Sequence, residues 1–222
     1  MFISCWSAKG GAGTTVTTAS LALVLASREP TLLVDLAGDL PTVLGVPEPE
    51  GQGLVQWLEA GAAVAPDALA RLEVDVVSQL TLLPRGSGEL DHPERAELLA
   101  ALLGAERRPV VIDCGCLGGP LAGSADVGIR RQLAVSSSRS LLVTRSCYLA
   151  LRRAVGVGMN ASGVVLIEEP GRALRSEDIE QVLGIPVVTS VPWESGIARA
   201  VDAGLLANRL PRQLSRALAS AA

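Results

Sequence analysis

Ala8-Lys9-Gly10-Gly11-Ala12-Gly13-Thr14-Thr15 is the stretch on which the fold turns, and it lies between the apolar run Phe2 to Trp6 and a helix-forming run from Thr15. Small residues let backbone N–H groups turn inward around an anion, and the helix that follows adds free N–H groups and the positive end of its dipole. A glycine-rich turn between strand and helix has no such meaning by itself. Here the only lysine of the 222-residue chain falls inside it. The loop therefore reads as a phosphate cradle.

Working outward, apolar runs of strand length recur, each followed by a polar, helix-like segment, the alternation that builds βαβ units and a parallel sheet. Strands are predicted at Phe2 to Trp6, Thr31 to Asp35, Leu80 to Leu83, Val110 to Asp113, Ser140 to Thr144, Gly163 to Ile167 and Val187 to Ser190. Helices are predicted at Thr15 to Ser27, Leu54 to Ala60, Pro93 to Leu103, Ile129 to Ser137, Cys147 to Val155, Ser176 to Leu183 and Ser195 to Ala203, with a last one from Pro211. Ser176 and Ser195 read as N-caps, and Gly184 and Gly204 as stops. The predicted architecture is α/β: a single doubly wound, mostly parallel sheet flanked by helices.

Composition agrees with one domain over residues 1–222: 49% of residues are hydrophobic, 19% are charged, and no Gly/Ser/Pro-rich linker interrupts the chain. No apolar run reaches the roughly 18 residues of a membrane span, and no basic segment precedes the first apolar run. Cys5, Cys114, Cys116 and Cys147 sit in or beside apolar runs and read as free thiols, which points to the cytoplasm. A net charge of -4 argues against whole-surface attraction to nucleic acid or anionic lipid.

The cradle resembles the deviant Walker A loop of the ParA/MinD group of P-loop ATPases, K-G-G-x-G-K-[ST]-T. Lys9 matches the signature lysine, which in that group reaches the phosphates of a partner subunit; Gly10, Gly11 and Gly13 match the glycines, with Ala12 between them. Thr15 matches the hydroxyl that coordinates Mg²⁺. Leu32-Leu33-Val34-Asp35 resembles the second strand of the group, and Val110-Val111-Ile112-Asp113 its Walker B strand, which assigns Asp35 and Asp113 to the metal and its waters. Leu141 to Arg145, Gly184 to Val187 and Ala198 to Gly204 continue the resemblance, and it places Val191 and Pro192 near the adenine. What it implies is a P-loop fold binding ATP or ADP with Mg²⁺ and forming a homodimer. The protein partner would belong to a division, partition or pilus/secretion system, as for septum-site, CpaE-like or TadZ-like positioning proteins, with peripheral attachment at membrane or nucleoid.

Two departures bear on turnover. Thr14 stands where the group has its second lysine, and Asp35-Leu36-Ala37 lacks the second carboxylate of its Asp-x-Asp. Lys9 and Asp39 are the candidates to take over catalytic roles, and hydrolysis is expected to be weak or absent. The alternatives are an active ATPase that uses Lys9, a nucleotide-free scaffold, and a DNA- or membrane-binding module. DNA would use Arg130, Arg131, Arg139, Arg145, Arg152 and Arg153; membrane would use the C-terminal helix carrying Leu210, Leu214 and Leu218, although core packing is the expected use of those leucines. His92 reads as a surface residue near a helix start. Trp6, Trp57 and Trp193 read as packing residues, with Trp193 a candidate border of a base pocket.

Overall fold

The computed structural model describes residues 1–48, 50–61, 66–119 and 123–222. Among these residues eight strands are present: β1 (Phe2–Ser7), β2 (Thr31–Asp35), β3 (Val74–Val77), β4 (Leu80–Leu83), β5 (Val110–Cys116), β6 (Arg139–Arg145), β7 (Gly163–Glu168) and β8 (Val187–Pro192). They form one sheet in the order β3-β4-β2-β5-β1-β6-β7-β8, parallel throughout except for the edge pair β3–β4. The order reverses at β1, and open α/β sheets bind ligands at the strand ends beside such a reversal.

The helices are α1 (Thr14–Ala26), α2 (Leu40–Leu44), α3 (Leu54–Glu59), α4 (Ala96–Ala105), α5 (Ala125–Ser136), α6 (Tyr148–Val157), α7 (Ser176–Leu183), α8 (Ser195–Asp202) and α9 (Arg212–Leu218). Strand alternation divides the core in two. Phe2, Trp6, Leu32, Val34, Val110, Ile112, Leu142 and Leu166 face the layer that holds α3 to α7. Ile3, Cys5, Leu33, Val111, Leu141, Val143, Val165 and Ile167 face the layer that holds α1, α2 and α9. From Thr17 to Ala26 every residue of α1 is buried, so this helix is a central pillar packed on several sides rather than an amphipathic surface helix.

Eight strands replace the seven expected. β3 and β4 form a hairpin whose two connecting residues, Ser78 and Gln79, contain no glycine, yet Gln79 has φ 65°. Tight hairpins usually announce such a conformation with Gly, Asn or Asp, so the strand went unread. Two caps also differ. The cap of α7 is Arg175, one residue before Ser176, because the Asp178 carboxylate accepts the Arg175 N–H at 2.8 Å. Glu194 occupies the N-cap position of α8 without a side-chain capping bond, and Ser195 Oγ accepts from Arg199 Nη1 at 3.1 Å. Helix α5 begins at Ala125, ahead of the expected Ile129, with Ser124 Oγ accepting the Val127 N–H. Gly184 and Gly204 take left-handed φ values, as stops should.

Three tryptophans do different things. Trp6 is buried and donates to Ser140 Oγ at 2.9 Å. Trp57 packs under the guanidinium of Arg95, 3.9 Å from its ring centre. That arginine is itself buried and donates to the Trp57 and Leu58 carbonyls at the end of α3, where a cation offsets the helix dipole. Trp193 is half exposed and belongs to the site described below. Leu214 and Leu218 of α9 are buried against the α1 layer, the use expected of them.

Candidate functional site

The loop after β1 is shaped by its glycines. Gly11 has φ 73° and Gly13 has φ 88°, values that residues with a Cβ rarely adopt. Gly13 occupies the N-cap of α1 and no side chain caps the helix; the first bond inside it runs from the Thr17 N–H to the Gly13 carbonyl. The N–H groups of Thr14, Thr15 and Val16 thus open toward the loop. Lys9 folds its ammonium onto the Gly10 carbonyl at 3.2 Å, and among the described residues it has no carboxylate partner. Thr14 is buried, and its carbonyl accepts from the Thr18 hydroxyl at 2.8 Å.

Asp35 ends β2 and Asp113 lies beside it on the same rung of β5, which runs on to Cys116 rather than stopping at Asp113 as expected; both are fully buried on the α1 side. Their environments differ. Asp35 Oδ1 accepts the N–H groups of Ala37 and Gly38 at 3.0 and 2.7 Å, and Oδ2 accepts that of Leu40 at 3.1 Å. Asp113 Oδ1 accepts only the Gly115 N–H, at 2.9 Å, while Oδ2 has no partner among the described residues. Burial pushes the Asp35 carboxyl up to about 6, opposed by its three backbone donors. Burial pushes Asp113 up to about 7; the Thr15 hydroxyl pulls it back, and the Asp35 charge pushes it further up. The loop thus brings Thr15 to Asp113.

Asp39 is exposed at the start of α2, and its charge raises both carboxyls, which places it at the mouth of the same corner. Cys5 lies one strand from Asp113, buried, with burial raising its thiol to about 12 against a hydrogen bond from Thr18. Among the described residues no three His, Cys, Asp or Glu side chains converge as a metal cluster. A hard cation that keeps most of its waters and takes one or two carboxylates plus phosphate oxygens needs no such cluster. The Asp113 carboxylate, which interacts with the Thr15 hydroxyl and whose Oδ2 has no partner among the described residues, fits that donor set.

A cavity of about 250 Å³ begins at Gly13, Val16 and Thr17 and runs to Val191, Pro192 and Trp193. Its walls are mostly apolar, with Ile167, Ile197 and Leu214 among them. Arg145 stacks on Trp193 with its guanidinium 4.5 Å from the ring centre and pairs with Glu169 at 2.7 Å. The structure joins Val191 and Pro192 to the loop through this cavity. Arg145 was not legible as part of it, since only the neighbouring positions of β6, β7 and β8 bring it beside Trp193. The plain order of the strands was the only available signal.

The six arginines grouped in sequence do not form one patch. Arg130 pairs with Asp126, Arg145 with Glu169, and Arg139 donates to the Ala221 carbonyl at 2.9 Å. Arg131, Arg152 and Arg153 line one cavity together. His92 is a surface residue whose Nδ1 lies 3.1 Å from Glu94. No helix among the described residues is long and apolar enough to cross a membrane.

The profile of the CobQ/CobB/MinD/ParA nucleotide-binding domain matches residues 3–207. None of the curated proteins matches the chain in sequence. Among solved structures, a ParA family ATPase from Chlorobium tepidum superposes with a TM-score of 0.76 at 20% identity, covering 98% of this chain and 96% of that one. The septum site-determining protein MinD from Pyrococcus horikoshii, solved with Mg-ADP, gives 0.75 at 23% identity over 98% and 92%. MinD of Aquifex aeolicus, solved in a MinC:MinD cell division complex, gives 0.74 at 19% identity over 98% and 92%. At these identities the structures speak for the fold, the eight-stranded form of the P-loop architecture.

Proposed function

This chain belongs to the CobQ/CobB/MinD/ParA nucleotide-binding domain family, and from that premise we propose that it is a positioning protein that binds an adenine nucleotide with Mg²⁺ and hydrolyses it slowly or not at all. The observation that carries the reading is continuity: one face of Gly13 belongs to the anion loop and the other lines the apolar cavity that ends at Trp193. Phosphates would rest on residues 9–15 and the base would lie against Val191, Pro192 and Trp193. Nucleotide pockets are apolar with a few placed polar groups, and this one has Arg145 held over Trp193 by its ion pair with Glu169.

Asp113 and Thr15 would hold the Mg²⁺ directly or through water, and Asp35 would act through the loop it orders. The cation would neutralise phosphate charge. Replacing the second lysine of the loop by Thr14 removes a charge-assisted contact worth about 1.5–3 kcal/mol, or roughly ten- to hundredfold in affinity. Backbone N–H groups, cation and base cavity remain, so binding survives. Turnover is more sensitive, because a preorganised charge lost from the transition state typically costs about a hundred- to thousandfold in rate. Asp39 is near enough to influence both buried carboxyls but is exposed, a poor setting for orienting one water.

Among the described residues Lys9 has no ion-pair partner, and its ammonium is exposed on the loop, where it could contact phosphate in its own subunit or across a homodimer. The partner protein would belong to a division, partition or pilus/secretion system. Phosphate release should be close to background for the native chain and rise by about tenfold or more in Thr14→Lys. Brisk native turnover that Thr14→Lys leaves unchanged would sink the weak-hydrolysis reading in favour of an ATPase that relies on Lys9.

A further inference from the structure

A second cavity, of about 440 Å³, opens on the other side of the loop from the base pocket, with Ala8 and Gly118 at its floor and Arg131, Arg152 and Arg153 around it. Gly118 packs so closely that a Cβ there would lie 2.3 Å from the Ala8 carbonyl, so the floor is backbone against backbone. Three guanidiniums meet here without compensation. Among the described residues none of them has a carboxylate within 4 Å. Arg131 reaches only the Leu117 carbonyl, at 3.4 Å, and its buried Nε has no partner. Among the other arginines of the described residues, Arg85, Arg108, Arg130 and Arg145 have carboxylate partners, while Arg95 and Arg139 donate to backbone carbonyls.

The wall formed by α6 adds a second property. Its exposed face carries Arg152 and Arg153 between Tyr148, Leu149 and Val155, which are 71%, 47% and 58% exposed, while Ala150, Leu151, Ala154 and Val157 face the core. Helical spacing makes the exposed set one continuous surface. Gly156 leaves room for a backbone to approach, as nothing lies within 4 Å of a Cβ built there. Aromatic and arginine side chains side by side are the residues that dominate protein interfaces. A nucleic acid phosphate track would not use the aliphatic groups, and the chain pI of about 5.1 opposes long-range attraction to a polyanion.

We propose that this groove is the docking site for an acidic amphipathic segment of a protein partner, its carboxylates paired with Arg131, Arg152 and Arg153 and its apolar side chains set against Tyr148, Leu149 and Val155. Nothing in the proposal requires nucleotide. Its test is fluorescence anisotropy of the full chain in EDTA without nucleotide, using an about 20-residue labelled helical peptide with a Leu face and a Glu face, its Lys counterpart, and a short DNA duplex. The acidic peptide should bind and the basic one should not. The double variant Arg152→Glu, Arg153→Glu should weaken binding by about tenfold or more, and Leu149→Ser by about threefold or more, with circular dichroism unchanged. No binding of the acidic peptide, binding indifferent to these variants, or tighter binding of the duplex through the same arginines would overturn the proposal. Nucleotide titration of the double variant should match the native chain, so failure of the groove and failure of the nucleotide reading are separable.

Discussion

Asp35 at the end of β2 and Asp113 within β5 sit on the same rung of the sheet, equally buried, yet one is consumed by the fold and the other is held in reserve. Asp35 binds three backbone N–H groups and thereby fixes the turn into α2. Asp113 binds one, interacts with the Thr15 hydroxyl, and among the described residues keeps Oδ2 without a partner. Buried polar atoms are nearly always satisfied, and those that are not tend to mark a function carried at some cost in stability. Sequence position alone gives both residues the same role; hydrogen-bond geometry separates them.

The largest effect should come from Asp35→Ala, which leaves three N–H groups without an acceptor in a mostly buried turn and should destabilise the protein by about 3 kcal/mol or more in urea unfolding. A loss below about 1 kcal/mol would show that the turn does not depend on this carboxylate, and the contrast would collapse.

Asp113→Asn should act in the opposite direction. A carboxyl raised from 3.8 to about 7 binds its proton more tightly in the folded state than in the unfolded chain. Its contribution to stability is therefore full below about pH 4 and is lost as pH rises toward 7, with Asp35 adding to the loss as pH rises toward about 6. Asn cannot ionise, so the nucleotide-free variant should be more stable than the native protein at pH 7.5, on the order of 1–3 kcal/mol, with a flatter pH profile. It should also lose the Mg²⁺-dependent part of nucleotide binding. Equal or lower stability at pH 7.5 would mean that Asp113 pays no penalty in the empty site.

Thr15→Val sharpens the same contrast with a smaller change. It should alter stability by less than about 1 kcal/mol while reducing the effect of Mg²⁺ on nucleotide affinity by about tenfold. Trp193→Ala lies outside the pair altogether. It should leave unfolding within about 0.5 kcal/mol, since Trp193 is half exposed, and weaken nucleotide binding about five- to tenfold through lost stacking. A stability loss larger than that would recast Trp193 as a packing residue.

Much of this was legible because local chemistry and topology agree. Gly11 and Gly13 were readable since their left-handed backbone demands glycine, and Asp35 and Asp113 since the apolar runs they follow resemble two strands of one family in the same order, an Asp after an apolar run having no such meaning alone. The hairpin strand Val74–Val77 was not, because its turn uses Gln79 where a glycine would have signalled it. The cavity was half legible: Val191 and Pro192 follow from the resemblance, whereas the Arg145–Trp193 stack joins residues 48 positions apart and exists only through the strand order. The division of labour between the two carboxylates was invisible, because it is a matter of which backbone N–H groups turn back onto which oxygen.

The most direct test of the account is calorimetric titration of the native chain with ATP, in Mg²⁺ and again in EDTA, at pH 7.5. Saturable binding of one nucleotide per chain that is clearly tighter with Mg²⁺ is the predicted result, the cation filling the place left by Asp113 Oδ2. No saturable heat at millimolar ATP, or binding of equal strength with and without Mg²⁺, would contradict it.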